Sequence, residues 1–166
     1  MPAPFIWIVD ATPLIVLAKT GRLDLLTQEN RRVLIPETVA REVEAGRRND
    51  PARLALAAGW GERIPDAPIP DALAEWRLDA GEEAALALAL TFPDALVVVD
   101  DGDGRRAAQA FGIRMTGTVG VALQARQTGR IEALAPLLRD LRDVGLFLPP
   151  EATLRAVLQS EGEEWP

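Results

Sequence analysis

The chain has 166 residues, 48% of them hydrophobic, and a formal net charge of −7. This length and composition predict one folded domain with a sizeable buried core rather than a disordered chain. The sequence contains no Cys, His or Tyr, which excludes disulfides, thiolate zinc sites and Ser-His-Asp or Cys-His catalysis. Carboxylates without imidazole favour hard cations such as Mg²⁺ or Mn²⁺.

The negative charge and the hydropathy pattern bear on partners and location. A module that simply coats nucleic acid is usually basic, yet a nuclease remains compatible with this charge because bound divalent ions reverse the local sign. The charge also suits a basic protein partner. No segment approaches the roughly 20 apolar residues of a membrane span, and the first residues lack the basic start of a signal peptide. We therefore expect a cytoplasmic protein with no membrane partner.

The first half of the chain predicts strands that alternate with helices. The apolar run at 5–9 predicts a buried strand that ends at Asp10. Thr12 and Pro13 predict the N-cap and first turn of a helix that stops near Gly21. The next predicted elements are a short helix at 23–26, a strand at 33–35, helices at 37–44 and 51–58, and a loop at 59–70 with a short strand at 63–64.

The second half continues this alternation. A helix at 80–90 is followed by a strand at 95–99, a helix at 103–111, a strand at 113–115 and helices at 118–127, 131–144 and 150–159, with Phe147 in a short extended piece. This order predicts an α/β fold of three layers (α/β/α), with a short, mainly parallel central sheet. Residues 1–160 form the predicted single domain, and residues 161–166 are predicted to be a frayed tail.

Acidic residues at the predicted element boundaries are candidate metal ligands. Asp10 follows the first strand, where a capping turn is the alternative. Glu42 lies in mid-helix, where a solvated surface charge is the alternative. Glu82 and Glu83 open a helix and also suit its dipole; they lie about 100° apart around the axis, so at most one would be a ligand. A parallel sheet could gather these carboxylates at one edge, where they would repel unless a cation held them.

The densest acidic cluster lies at residues 100–104, which read D-D-G-D-G. Three carboxylates in four residues repel at neutral pH unless they are solvated or bound to metal; a helix-capping loop with Asp101 or Asp103 as the cap is the alternative. Residues 102–107 also fit a dinucleotide-binding pattern, but the adjacent carboxylates would repel a pyrophosphate. A haloacid-dehalogenase-type phosphatase is disfavoured because Thr12 stands where that motif requires a second Asp.

Taken together, five segments resemble the PIN-domain nucleases, in particular the small prokaryotic VapC-type toxins. They are IVDATPLI at 8–15, IPETVAREV at 35–43, GEEAALALA at 81–89, VVVDD at 97–101 and TGTVG at 116–120. The resemblance covers nearly the whole chain and rests on the order and spacing of these segments. It is strongest to a branch in which Gly-Glu and Asp-Asp replace the commoner single aspartates.

The resemblance implies a PIN-like fold with acids converging at one end of the sheet, and hydrolysis of RNA by water activated by Mg²⁺ or Mn²⁺. By position, it implies a catalytic, metal-binding set of Asp10, Glu42, Glu82 and Asp100. Asp101 or Asp103 would be a fifth ligand, and Glu82 is preferred to Glu83 because it follows Gly81. Contacts to substrate or water are implied for Thr12, Arg105 and Thr118, and Arg106 could also hold the RNA backbone.

The VapC-like resemblance also implies partners. A small antitoxin protein would bind near the active site, and the apolar helices at 14–17 and 23–26 could serve a homodimer, although core packing explains them equally well. The alternative function is a PIN-fold binding or regulatory protein that does not cleave, in which the acids are structural or silenced by a partner.

Overall fold

A five-stranded sheet forms the centre of the computed structural model, which describes residues 2–166. The strands are β1 (Phe5–Val9), β2 (Arg31–Pro36), β3 (Glu62–Ile64), β4 (Leu96–Val98) and β5 (Arg114–Thr116), in the order β3-β2-β1-β4-β5. Each neighbouring pair is parallel. The predicted α/β class and parallel sheet are thereby confirmed.

Helices connect the strands. They are α1 (Ala11–Lys19), α2 (Glu37–Glu44), α3 (Pro51–Ala57), α4 (Asp71–Ala74), α5 (Ala80–Leu90), α6 (Gly102–Ala110), α7 (Thr118–Gln127), α8 (Leu134–Asp143) and α9 (Glu151–Ser160), with a 3-10 helix at Leu23–Leu26. Short α4 was not predicted from the sequence. Residues 131–133 precede α8 instead of belonging to it, and no strand forms around Phe147. Within residues 2–166, no helix is long and apolar enough to span a membrane.

The start of α1 differs from its prediction. Asp10 occupies the N-cap position in an extended conformation, and Thr12 is already the second residue of the helix. The predicted N-cap role of Thr12 is therefore wrong. Pro13 tolerates this shift because the first backbone N–H groups of a helix have no intrahelical partner in any case.

The sheet separates two apolar layers because successive strand residues point to opposite faces. In β1, Trp7 and Val9 belong to the cluster formed with α1, α2, α7, α8 and α9, whereas Ile8 belongs to the cluster formed with α5 and α6. Ile8 and Val9 are fully buried, and burial of such a side chain typically contributes about 1.5–3 kcal/mol. This double-sided burial explains why the central strands are continuously apolar.

The C-terminal segment 161–166, which the sequence predicts to be frayed, packs onto the domain. Trp165 is 8% exposed and belongs to the first core cluster. The Glu163 carboxylate accepts hydrogen bonds from the backbone N–H groups of Leu134 (2.8 Å) and Ala135 (2.9 Å). Because the N-cap residue of α8, Ala133, has no side chain that can cap, Glu163 supplies this capping from a distant part of the chain.

The parallel arrangement places the start of three connecting helices at one edge of the sheet. The Asp10 N–H donates to Val98 O (3.1 Å), and the Val99 N–H donates to Thr116 O (2.9 Å). The strand ladder thus continues up to the residues that precede α1, α6 and α7. Ligands of such sheets usually bind beyond the carboxyl ends of the strands.

Candidate metal centre

Asp10 is the most buried carboxylate of this edge. It follows β1 directly and is 6% exposed. Its side chain makes no capping hydrogen bond to α1, so the carboxylate remains available to other groups. A buried carboxylate that does not cap its own helix needs another partner or a proton.

Gly81, near the start of α5, brings Asp10 and Glu42 together. A Cβ atom placed on Gly81 would lie 2.5 Å from Glu42 Oε2 and 3.2 Å from Asp10 Oδ1. Both oxygens therefore lie against the bare α-carbon of one glycine, although α1 and α2 belong to different parts of the chain. The absence of a side chain at Gly81 is what allows the two carboxylates to approach.

We expect Gly81→Ala to weaken divalent-ion binding while leaving the fold intact. The added methyl group would displace the end of the flexible Glu42 side chain, whereas Ala within a helix is about 0.5–1 kcal/mol more favourable than Gly. The melting temperature should thus stay equal or rise, and Mn²⁺ affinity measured by calorimetry should fall by about tenfold or more. Gly112→Ala, where a Cβ would meet nothing within 4 Å but φ is +67°, is the opposite control, because it should lower stability without affecting Mn²⁺ affinity. Unchanged Mn²⁺ affinity in Gly81→Ala would contradict this account.

Glu82 and Glu83 occupy different environments. Glu82 is 6% exposed, and its Oε1 lies 3.4 Å from the position of a Cβ on Gly104 in α6. Glu83 is only partly buried. The structure thus directs Glu82 between α5 and α6, toward the other acids.

Asp79 is a member of this cluster that the sequence prediction missed. It is the N-cap residue of α5, but its side chain makes no capping hydrogen bond. Its charge acts on three carboxyl groups of the cluster: those of Asp10, Glu42 and Glu82. The available clue was the spacing Asp-x-Gly-Glu just ahead of a helix, which by itself is fully explained as an ordinary helix cap.

Asp100 is held in place by Thr118, the first residue of α7. The Thr118 N–H donates to Asp100 Oδ1 (2.7 Å), and its hydroxyl donates to Oδ2 (2.6 Å). Thr118 is fully buried, with 0% exposure. Thr118 therefore orients the Asp100 carboxylate, and its contact with substrate or water stays a prediction.

The remaining predicted residues lie at the rim. Asp101 caps α6 by accepting from the Asp103 N–H (2.8 Å), and its charge also acts on Glu82. Asp103 is exposed and pairs with Arg106, so these two form a solvated ion pair away from the cluster. Thr12, the second residue of α1, is exposed, and half-buried Arg105 lies beside Asp100.

Burial and the proximity of other carboxylates raise the pKa values of three of these acids. Burial, partly offset by the neighbouring backbone N–H of Ala11, raises the pKa of Asp10 from 3.8 to about 7, and three carboxylates add to the rise: Glu42, Asp100 and Asp79. Burial likewise raises the pKa of Glu82 to about 7, with further contributions from Asp101, Asp10 and Asp79. Partial burial and the charge of Asp79 raise the pKa of Glu42. Burial is the largest cause of each shift, and the neighbouring negative charges add to it.

The donor chemistry suits a hard cation. Within residues 2–166, no ion pair to Lys or Arg is formed by the cluster acids Asp10, Glu42, Asp79, Glu82, Asp100 and Asp101. In the same part of the chain, no group of three or more acidic side chains is arranged closely enough to hold a metal ion. The oxygen-only donors and the uncompensated charge fit Mg²⁺ or Mn²⁺.

Comparison with protein families shows to which family the chain belongs. A family model described as a PIN domain matches residues 6–163. The chain belongs to the PIN-domain family. A comparison with curated proteins found no match. PIN domains are typically nucleases that use divalent metal ions, and the PIN-domain assignment agrees with the parallel sheet and with the acidic edge.

Proposed function

We propose that this PIN-domain protein is an endoribonuclease that hydrolyses phosphodiester bonds with Mg²⁺ or Mn²⁺. The observation that carries the proposal is the convergence of buried Asp10 and Glu82 with Glu42, Asp79 and Asp100, without any compensating Lys or Arg. Such a cluster is electrostatically unfavourable in the ionised state. A divalent cation would relieve this repulsion at neutral pH.

Each side chain has a specific part in this proposal. Asp10 and Glu82 would bind the cation, together with Glu42, Asp79 and Asp101. Asp100, fixed by Thr118, would present a carboxylate whose orientation does not change during the reaction. When bound, the cation supplies Lewis acidity toward a phosphate oxygen and lowers the pKa of a water molecule.

Basic and hydroxyl groups at the rim would position the RNA. Arg105 lies beside Asp100 and forms no ion pair with any residue of the described chain, so its guanidinium is free to contact a backbone phosphate. Thr12, exposed at the start of α1, could donate its hydroxyl to the same backbone. These contacts fix orientation and carry no sequence information.

The proposal is tested by cleavage of an end-labelled RNA and of a DNA of the same sequence, with Mg²⁺, with Mn²⁺ and with EDTA. We expect cleavage of the RNA only when a divalent ion is present. Glu82→Gln should lower the rate by at least about 100-fold, because even residues that only orient metal ligands typically contribute 10- to 100-fold. The adjacent Glu83→Gln should retain the wild-type rate, since Glu83 lies outside the cluster.

The resemblance to VapC-type proteins supports a more specific role. On that basis, we propose a cytoplasmic toxin that pairs with a small antitoxin, and a homodimer is compatible with it. Expression of the wild-type chain should then arrest growth, whereas expression of Glu82→Gln should not. Growth unaffected by an otherwise active enzyme would refute the toxin role alone.

A non-cleaving PIN-fold binding or regulatory protein is the second candidate. It is favoured by one observation, namely that no three acids of residues 2–166 are arranged to hold an ion. Absence of both cleavage and Mn²⁺ binding in the assays above would select this alternative.

A further inference from the structure

A groove adjoins the acidic cluster on the side of Asp100. Its volume is about 460 Å³, within the range of about 300–1,000 Å³ that is usual for ligand pockets. Its lining includes Asp100, Arg105 and Gly117 together with Phe147, Pro149 and Thr153. The groove is therefore continuous with the candidate metal centre.

Gly117 keeps this groove open beside Asp100 and Arg105. A Cβ on Gly117 would come within 2.7 Å of Arg105 Nη1 and 2.9 Å of Asp100 Oδ1. The Arg105 guanidinium and the Asp100 carboxylate thus both lie against one bare α-carbon, without forming an ion pair with each other. Arg105 also approaches the Val99 carbonyl (3.5 Å), which leaves most of its donors free for an anion.

Phe147 lines the same groove and is almost fully exposed to solvent. It is 97% exposed, whereas the preceding Leu146 is 5% exposed and packs into the core. Half-buried Leu148 and Pro149 follow it, and Pro150 caps α9. A single exposed aromatic residue needs no explanation by itself, but this one is held between anchored neighbours and faces a groove that also contains an unpaired Arg.

We propose that this groove binds an unpaired nucleotide next to the scissile phosphate, with its base stacked on Phe147 and its phosphate on Arg105. The inference rests on the proposed function and extends it, because stacking on an isolated ring requires a base that is free of its own stack. An aromatic platform with a cation that follows the backbone is the usual means of holding single-stranded nucleic acid.

RNA binding measured without a divalent ion tests this inference independently of the proposed cleavage. The 166-residue chain is added in EDTA to a labelled single-stranded RNA and, separately, to the same RNA as a duplex, and binding is followed by fluorescence anisotropy. Phe147→Ala should weaken single-strand binding on the order of 10- to 100-fold and leave duplex binding unchanged. Phe147→Trp should preserve binding, whereas Phe147→Leu, which keeps apolar area but cannot stack, should lose it. Arg105→Gln should reduce the slope of log affinity against log salt by about 0.7.

A second groove provides matched controls. It has a similar volume of about 460 Å³, lies at the opposite end of the strands and also contains an exposed Phe and an Arg, namely Phe5 and Arg114. Phe5→Ala and Arg114→Gln should leave single-strand binding unchanged. The inference is overturned if wild-type protein binds no single strand, if Phe147→Ala binds like wild type, or if Phe147→Leu binds as well as Phe147→Trp, which would indicate an apolar peptide as the occupant. Cleavage that persists in Phe147→Ala with unchanged affinity would refute the groove while sparing the nuclease.

Discussion

Replacement of Asp10 by Asn is expected to abolish divalent-ion-dependent cleavage and, at the same time, to stabilise the metal-free protein at pH 8. Asn has nearly the same shape but no charge, so it removes a central ligand and also a buried charge that has no cationic partner. The rate should fall by at least about 100-fold, as for other groups that hold or orient a metal. The melting temperature without metal should rise by several degrees, since about 1 kcal/mol corresponds to roughly 2–4 °C for a domain of this size.

The combination of effects is what makes this test specific. If Asp10 had only a structural role, its substitution would destabilise the protein. If its carboxylate is positioned for a cation, the substitution should stabilise the metal-free protein. Asp103→Asn is the matched control, because Asp103 is exposed and pairs with Arg106 outside the cluster; it should change neither rate nor melting temperature by a large amount. Full cleavage activity in Asp10→Asn, measured with a labelled RNA at saturating Mg²⁺, would refute the proposed metal centre.

The stability of the metal-free protein should fall as pH rises from 5 to 8, and Mn²⁺ should reverse that fall. The pKa values of Asp10 and Glu82 are raised to about 7, so the folded state holds these protons more tightly than the unfolded state. The contribution of these protons to the free energy of unfolding is fully present below about pH 4 and is lost as the pH rises through 7. The loss is at most about 1.4 kcal/mol per pH unit for each carboxyl group. We expect the melting temperature to fall by roughly 5–10 °C between pH 5 and pH 8.

Metal binding has the opposite pH dependence, because the ion requires ionised ligands. Addition of Mn²⁺ should raise the melting temperature strongly at pH 8 and little at pH 5. Some carboxyl groups have lowered pKa values, such as those of Glu37, Glu62 and Glu163. The stabilisation that they provide is lost only at more acidic pH, so they do not affect the melting temperature between pH 5 and pH 8. The double variant Asp10→Asn, Glu82→Gln should lose both the pH dependence and the Mn²⁺ effect. A flat profile in the wild-type protein would contradict the electrostatic account of the cluster.

Local patterns were sufficient for most of the scaffold. The apolar run at 5–9 predicted β1, and the Ala- and Leu-rich segment predicted α5 with its observed bounds. These elements follow from periodicity and from Gly and Pro punctuation, which act over a few residues. The start of α1 was misplaced because Asp10 and Thr12 are both good caps, and only the packed chain selects between them.

The candidate site depended more strongly on tertiary structure. From its position in a helix, Glu42 resembles any surface charge, and only the approach of α2 to Gly81 brings it beside Asp10. Asp79 was missed because nothing in its local sequence distinguishes it from an ordinary acidic residue ahead of a helix, whereas its charge acts on partners far away in sequence. Thr118 and Asp100 illustrate the same limit, since the hydrogen bonds that bury Thr118 behind the carboxylate span 18 residues.

The amino-acid sequence by itself determined the restriction to carboxylate chemistry, the alternation of strands and helices, and the acids that close individual strands. All of these follow from composition and from interactions between near neighbours. Only the tertiary structure decided which acids share one edge, which side chain orients Asp100, and that Trp165 and Glu163 pack the C-terminal segment onto the domain. Those outcomes depend on burial and on contacts between distant segments, and neither is defined until the sheet and its helices have packed together.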